Sequence, residues 1–104
     1  MEMANYILSI FQSDLSVVFS WGFNNPIKLE NGLRFKVNGF KHKGKVAVKY
    51  NEGLDLFEVE ILTSKNEVIE TIEGVYFDQL VELIDNRVEL VENYEQAVSE
   101  EYSK

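Results

Sequence analysis

Two periodicities divide this chain. Over residues 3–20, Ile7, Ile10, Phe11, Val17 and Val18 recur at helical spacing, which predicts one or two helices, with Ser13 or Asp14 placed to cap the second. Gly22-Phe23-Asn24-Asn25-Pro26 then reads as a loop, and the single proline pushes Asn25 towards an extended backbone. From Gly32 the period drops to two. Leu33, Phe35 and Val37 alternate with Arg34, Lys36 and Asn38, and after a turn at His42-Lys43 the residues Val46, Val48 and Tyr50 alternate with Lys45, Ala47 and Lys49. A third strand puts Asp55, Phe57, Val59 and Ile61 on one face and Leu56, Glu58, Glu60 and Leu62 on the other. A short fourth is expected at Val68–Ile72, after a turn at Ser64-Lys65-Asn66.

With Tyr50 opposite Asp55, Val48 meets Phe57, Val46 meets Val59 and Lys45 meets Glu60; a slip of one residue would set Val46 against Glu58. Beyond Gly74 the helical period returns and holds to about Glu95, with Phe77, Leu80, Val81, Ile84, Val88 and Val91 on one broad face. The expected fold is therefore α+β: an N-terminal helix, an antiparallel meander of three to four strands, and a long C-terminal helix packed on one sheet face. The expected core is Phe35, Val37, Val46, Val48, Phe57, Val59, Ile61, Phe77, Leu80, Val81, Ile84 and Val88. Residues 1–95 are expected to form one domain, with 96–104 a polar, frayed tail.

Composition changes this picture little. At 104 residues the chain suits a single domain, large enough to fold without a staple. The absence of cysteine excludes thiolate metal sites, cysteine nucleophiles and disulfides. The apolar stretch Tyr6–Trp21 lacks a basic leader and is interrupted by Gln12, Ser13 and Asp14, so neither a signal peptide nor a membrane span is expected, and the cytoplasm is the expected compartment.

Charge changes it more. Ten basic residues against eighteen acidic ones give −8, yet seven of the ten (Lys28, Arg34, Lys36, Lys41, Lys43, Lys45 and Lys49) lie between Lys28 and Lys49, with only Glu30 against them. That window carries +6 and the remainder −14. Arg34, Lys36, Lys45 and Lys49 should project from the sheet face opposite the valines, with Lys41 and Lys43 at the turn. A basic two-stranded ribbon of this kind can follow a phosphate backbone. Its alternative is neutralisation by acidic neighbours within the domain.

On the final helix Asp78, Glu82, Asp85, Glu89 and Glu92 are spaced four, three, four and three, a continuous acidic stripe: a solvated face, or an imitation of a row of phosphates. Arg87 falls instead beside Leu80, Leu83, Leu90 and Tyr94, where it snorkels at the core edge or pairs with a carboxylate from elsewhere. The apolar arc is wider than packing on a sheet requires, so Tyr76, Leu83, Arg87, Leu90 and Tyr94 form a candidate partner surface.

Catalytic motifs are weak. Gly39-Phe40-Lys41-His42-Lys43-Gly44-Lys45 fits the opening of a phosphate-binding loop, but Val46 replaces the metal-binding Ser or Thr, and Lys45 opens a strand rather than a helix. His42, the single histidine, sits among lysines and reads as a solvated turn residue with no second ligand. No serine has a nucleophile-elbow setting, and no carboxylate pair stands out. No catalytic, metal or cofactor site is expected.

The order α–β–β–β–α is similar to that of double-stranded-RNA-binding domains, but Val75-Tyr76-Phe77-Asp78 stands where their lysine cluster opens the final helix. Trp21-Gly22-Phe23, the run Gly32–Phe40, Tyr50-Asn51-Glu52-Gly53 and the run Val75–Val81 resemble segments of a group of small bacterial proteins carried on mobile elements. That resemblance implies an accessory protein of the bacterial cytoplasm and supplies no activity or functional residue. The leading expectation is a non-enzymatic interaction module that binds a protein partner or a second copy of itself through the final helix. The alternatives are nucleic-acid binding through the hairpin 33–50, and mimicry of a polyanion by the acidic helix towards a basic protein.

Overall fold

In the computed structural model, which describes residues 2–89, a five-stranded antiparallel sheet carries helices on one face. The order is α1 (Met3–Gln12), α2 (Leu15–Ser20), β1 (Asn24–Leu29), β2 (Gly32–Asn38), β3 (Lys43–Asn51), β4 (Leu56–Leu62), β5 (Val68–Val75), a 3-10 turn (Phe77–Gln79) and α3 (Leu80–Val88). The strands lie in sequence order, a simple meander. The α+β class and the antiparallel sheet agree with the sequence pattern, as does a helical break between Gln12 and Leu15.

The departures have physical causes. The stretch expected as a loop around Pro26 is edge strand β1. Proline is tolerated there because an edge strand leaves half its N–H groups without a ladder partner. Asn25, expected to be extended, has φ 50°, and the β1–β2 register shifts between Asn24 and Ile27. A bulge needs one residue of that hand, and asparagine accepts it more readily than most side chains.

The β3–β4 register differs by two residues from expectation. Tyr50 pairs with Phe57, Val48 with Val59, Val46 with Ile61, Ala47 with Glu60 and Lys45 with Leu62. A shift of two keeps every side chain on its face, so hydrophobic alternation cannot distinguish the two registers. The turn decides: Asn51 Oδ1 accepts the Leu54 N–H at 3.2 Å, and Asp55 at φ 55° belongs to the turn rather than to the strand. β5 runs three residues past its expected end, through a bulge at Gly74 (φ 68°).

The C-terminal helix is shorter than expected. α3 ends at Val88 and Glu89 leaves the helical region at φ −124°. The Val88 carbonyl instead accepts the N–H groups of Lys41 (2.8 Å) and His42 (3.3 Å), so the β2–β3 turn occupies the helix end. Gly39 allows this approach; a Cβ there would stand 2.3 Å from the Val88 oxygen. Residues 90–95 of the expected helix lie outside the described residues.

The core sits between the sheet and the helices. Leu33, Phe35, Val37, Val46, Val48, Phe57, Val59 and Ile61 supply the sheet side, with Leu80, Ile84 and Val88 above them. Most of what the sequence pattern missed comes from the N-terminus: Ala4, Ile7, Phe11, Val18 and Trp21 are all buried. Phe11 meets Trp21 and Phe35 edge-on at 5.7 and 5.5 Å. These arrangements suit the ring quadrupoles. Phe77, expected in the core, is 56% exposed, because it begins the 3-10 turn and precedes the helical face; Val81 is only partly buried.

Candidate functional site

The basic side chains gather on the face of the sheet away from the helices. Alternation places Arg34 and Lys36 of β2, and Lys43, Lys45 and Lys49 of β3, on that face, since Leu33, Phe35, Val37, Val46 and Val48 occupy the other. Five of the six basic candidates are thus brought together. Lys41 is not among them: its Nζ donates to the Asn86 carbonyl at 2.9 Å, at the carbonyl end of α3, where a cation is favoured. The Gly39–Lys45 loop therefore meets the negative end of a helix, the wrong end for phosphate.

Two of the five cations have partners among the described residues. Lys49 Nζ pairs with Glu60 at 2.8 Å, and Lys45 Nζ donates to Asn66 Oδ1 at 2.8 Å. Lys36 stands directly opposite Lys45 in the ladder, a like-charge pair. Arg34 differs from all of them. It is half-buried, its Nε is shut off from water, and that N–H has no hydrogen-bond acceptor among the described residues.

Arg34 lines a half-open trough of about 430 Å³ that crosses the sheet face from Leu29 of β1 to Val68 of β5, over Ala47 and Leu62 and beside Lys49 and Glu60. On its other side a small hollow gathers Ile27, Lys36 and Lys45 against it. The sequence signal for this trough was available. Ala47 and Leu62 are apolar residues on the polar phase of their strands, and both are buried, at 2% and 5% exposure. They are covered on a face that carries no helix.

The acidic stripe does not survive folding as a stripe. Asp78 and Glu82 are exposed, but Asp85 accepts the indole N–H of Trp21 at 3.0 Å. Glu89 is 8% exposed and accepts the backbone N–H of Phe40 at 3.0 Å. Glu92 lies outside the described residues. Two of the four acids that can be placed thus hold α3 to its neighbours rather than facing solvent.

The helix surface proposed for a partner is likewise divided. Tyr76 is exposed but precedes the helix, Leu83 packs against the core, and Arg87 pairs with Glu70 of β5 at 3.1 Å. Leu90 and Tyr94 lie outside the described residues. His42, expected to be solvated, is half-buried; its Nε2 lies 2.8 Å from the Leu62 carbonyl and 3.3 Å from that of Lys45. Facing two carbonyl acceptors, that nitrogen carries the proton, and it ties the β2–β3 turn to β4.

A wider hollow of about 590 Å³ adjoins the trough at Asn31 and Lys49 and is rimmed by Glu2, Glu30, Glu52 and Glu58 beside Tyr50. The Tyr50 hydroxyl donates to the Asp55 carboxylate, and this bond is the main cause of a tyrosine pKa held above its ordinary value of about 10. Among the described residues no group of three or more ligating side chains could hold a metal ion, and no helix is long and apolar enough to cross a membrane. No protein-family model, no curated protein and no solved structure matches this chain.

Proposed function

We propose that this chain is a non-catalytic interaction module that holds an anionic partner on its open sheet face, over Arg34, Lys36 and Lys45. The observation that carries this is the Arg34 guanidinium, half-buried beside Lys36 and Lys45 on the open face, with an Nε–H that no acceptor among the described residues meets. A buried donor left unmade costs on the order of 1–3 kcal/mol. The direct Lys36–Lys45 opposition adds a further unfavourable contact of a few tenths of a kcal/mol or more. One anion held by Lys36, Lys45 and the outer edge of the Arg34 guanidinium would relieve the like-charge opposition.

Self-association through the final helix has less support, because Leu83 is drawn into the core and Arg87 is engaged by Glu70. Mimicry of a polyanion loses Asp85 and Glu89, which serve internal contacts. The direct test is titration of the full chain with a glutamate-rich peptide and, separately, with short single-stranded and duplex DNA and RNA, at low salt. At least one probe should bind, and the Arg34→Met, Lys36→Gln double variant should weaken it about tenfold or more. Binding that ignores the double variant, or binding to none of the probes, overturns the proposal.

A further inference from the structure

We infer that the partner is a protein segment: an extended peptide that presents one carboxylate to Arg34 and lays apolar side chains on either side of it in the trough. This rests on the anionic-partner reading and narrows it. A nucleic acid fits this face poorly. No aromatic residue among the described residues lines the trough to stack a base, and Glu60 forms part of its wall. Glu58 shares the face, so a phosphate backbone leaving the Arg34–Lys36–Lys45 cluster meets carboxylates within one strand.

The trough itself has the polarity of a side-chain receptor. Lys49 is matched by Glu60 and Lys45 is held by Asn66, which leaves the planar fork of Arg34 as the unmatched cation among the trough's walls. Leu29 and the half-exposed Val68 offer apolar surface beside it, over a floor formed by the buried Ala47 and Leu62. A guanidinium in such a place favours a carboxylate held through two parallel N–H···O bonds. A volume of about 430 Å³ admits a few side chains and not a folded domain. Residues alternating along an extended chain would deliver the acid and its apolar flanks to one surface. The ligand class is therefore a short apolar–acidic–apolar segment.

The test is selection from a random linear peptide library on the immobilised full chain, with counter-selection on Arg34→Met. Thermal melts of each variant confirm that it folds. Enriched peptides should carry Asp or Glu between apolar residues. Replacing that acid by its amide in a synthesised peptide should weaken binding about tenfold, with Arg34→Lys intermediate between wild type and Arg34→Met. Val68→Gln, at a half-exposed wall position, should weaken the same peptide severalfold without touching the cation. Enriched peptides without an acid, or retained equally by Arg34→Met, overturn the inference. Oligonucleotide binding that depends on Arg34, with no peptide enriched, overturns the inference and leaves the anionic-partner reading standing. Self-association that depends on Arg34, with no peptide enriched, makes a second copy the occupant and also overturns it. No binding of any kind removes both.

Discussion

Arg34 is where stability and binding pull against each other. It lines the same trough as Ala47 and Leu62, with its Nε–H shielded from water and unmatched among the described residues. Methionine keeps the length of the stem and discards the unmatched donor. Arg34→Met should therefore raise the unfolding free energy by about 1 kcal/mol. For a domain of this size that is a midpoint increase of roughly 4–8 °C, read by thermal denaturation. A fall in midpoint would mean that the guanidinium is satisfied in solution. The sequence alone puts Arg34 on the outer face, through its alternation with Leu33 and Phe35. It could not show the missing partner. That depends on Glu60 reaching Lys49, hence on the β3–β4 register, and the hydrophobic pattern accepts either of two registers two residues apart.

At the scale of elements, the C-terminal end of α3 is held by charges that a helix-only reading assigns to solvent. Asp85 and Glu89 accept from the indole of Trp21 and the amide of Phe40, groups supplied by segments 64 and 49 residues away in sequence. No spacing rule within the helix could reveal those donors, so within the helix the stripe is continuous. The same contacts explain the end of α3: the turn after β2 delivers Lys41 and His42 to the last carbonyl, where another helical turn was expected. Asp85→Ala and Glu89→Ala should each destabilise the domain by about 1–3 kcal/mol in urea unfolding, since each strands a donor or opens a partly buried contact. Asp78→Ala and Glu82→Ala, at exposed positions, should stay within about 0.5 kcal/mol of wild type. Four equal effects would restore the solvated stripe. Edge strand β1 was illegible for a related reason. Its one clear signal, Pro26, is a loop signal unless the strand is known to lie at the edge.

For the whole molecule the issue is how an anion finds a basic face on a chain of net charge −8. The segregation along the sequence persists in part in space, because β2 and β3 bring their cations to the face opposite the helices. Neighbouring positions on paired strands lie about 5–8 Å apart. The Arg34–Lys36–Lys45 cluster therefore fits within one Debye length at 0.1 M salt, about 10 Å. Behind the sheet α3 carries Glu82 and Asp85, whereas α1 and α2 carry no acid; on the open face Glu60 is paired with Lys49 and Glu58 stands across the ladder from the same lysine.

At 0.01 M salt the screening length is about 30 Å, and an approaching anion feels the whole molecule, which repels it. Near 0.1 M it feels chiefly the cluster, and at 1 M, with a screening length of about 3 Å, neither. The association rate of an acidic peptide with this face should accordingly rise between about 0.01 and 0.1 M salt and fall beyond it, where simple electrostatic steering falls throughout. Stopped-flow fluorescence across that range reads the profile directly. A rate that falls steadily from the lowest salt would show that the cluster outweighs the acidic remainder at every distance. In that case Lys36→Gln should lower the low-salt rate far more than the rate at 0.1 M.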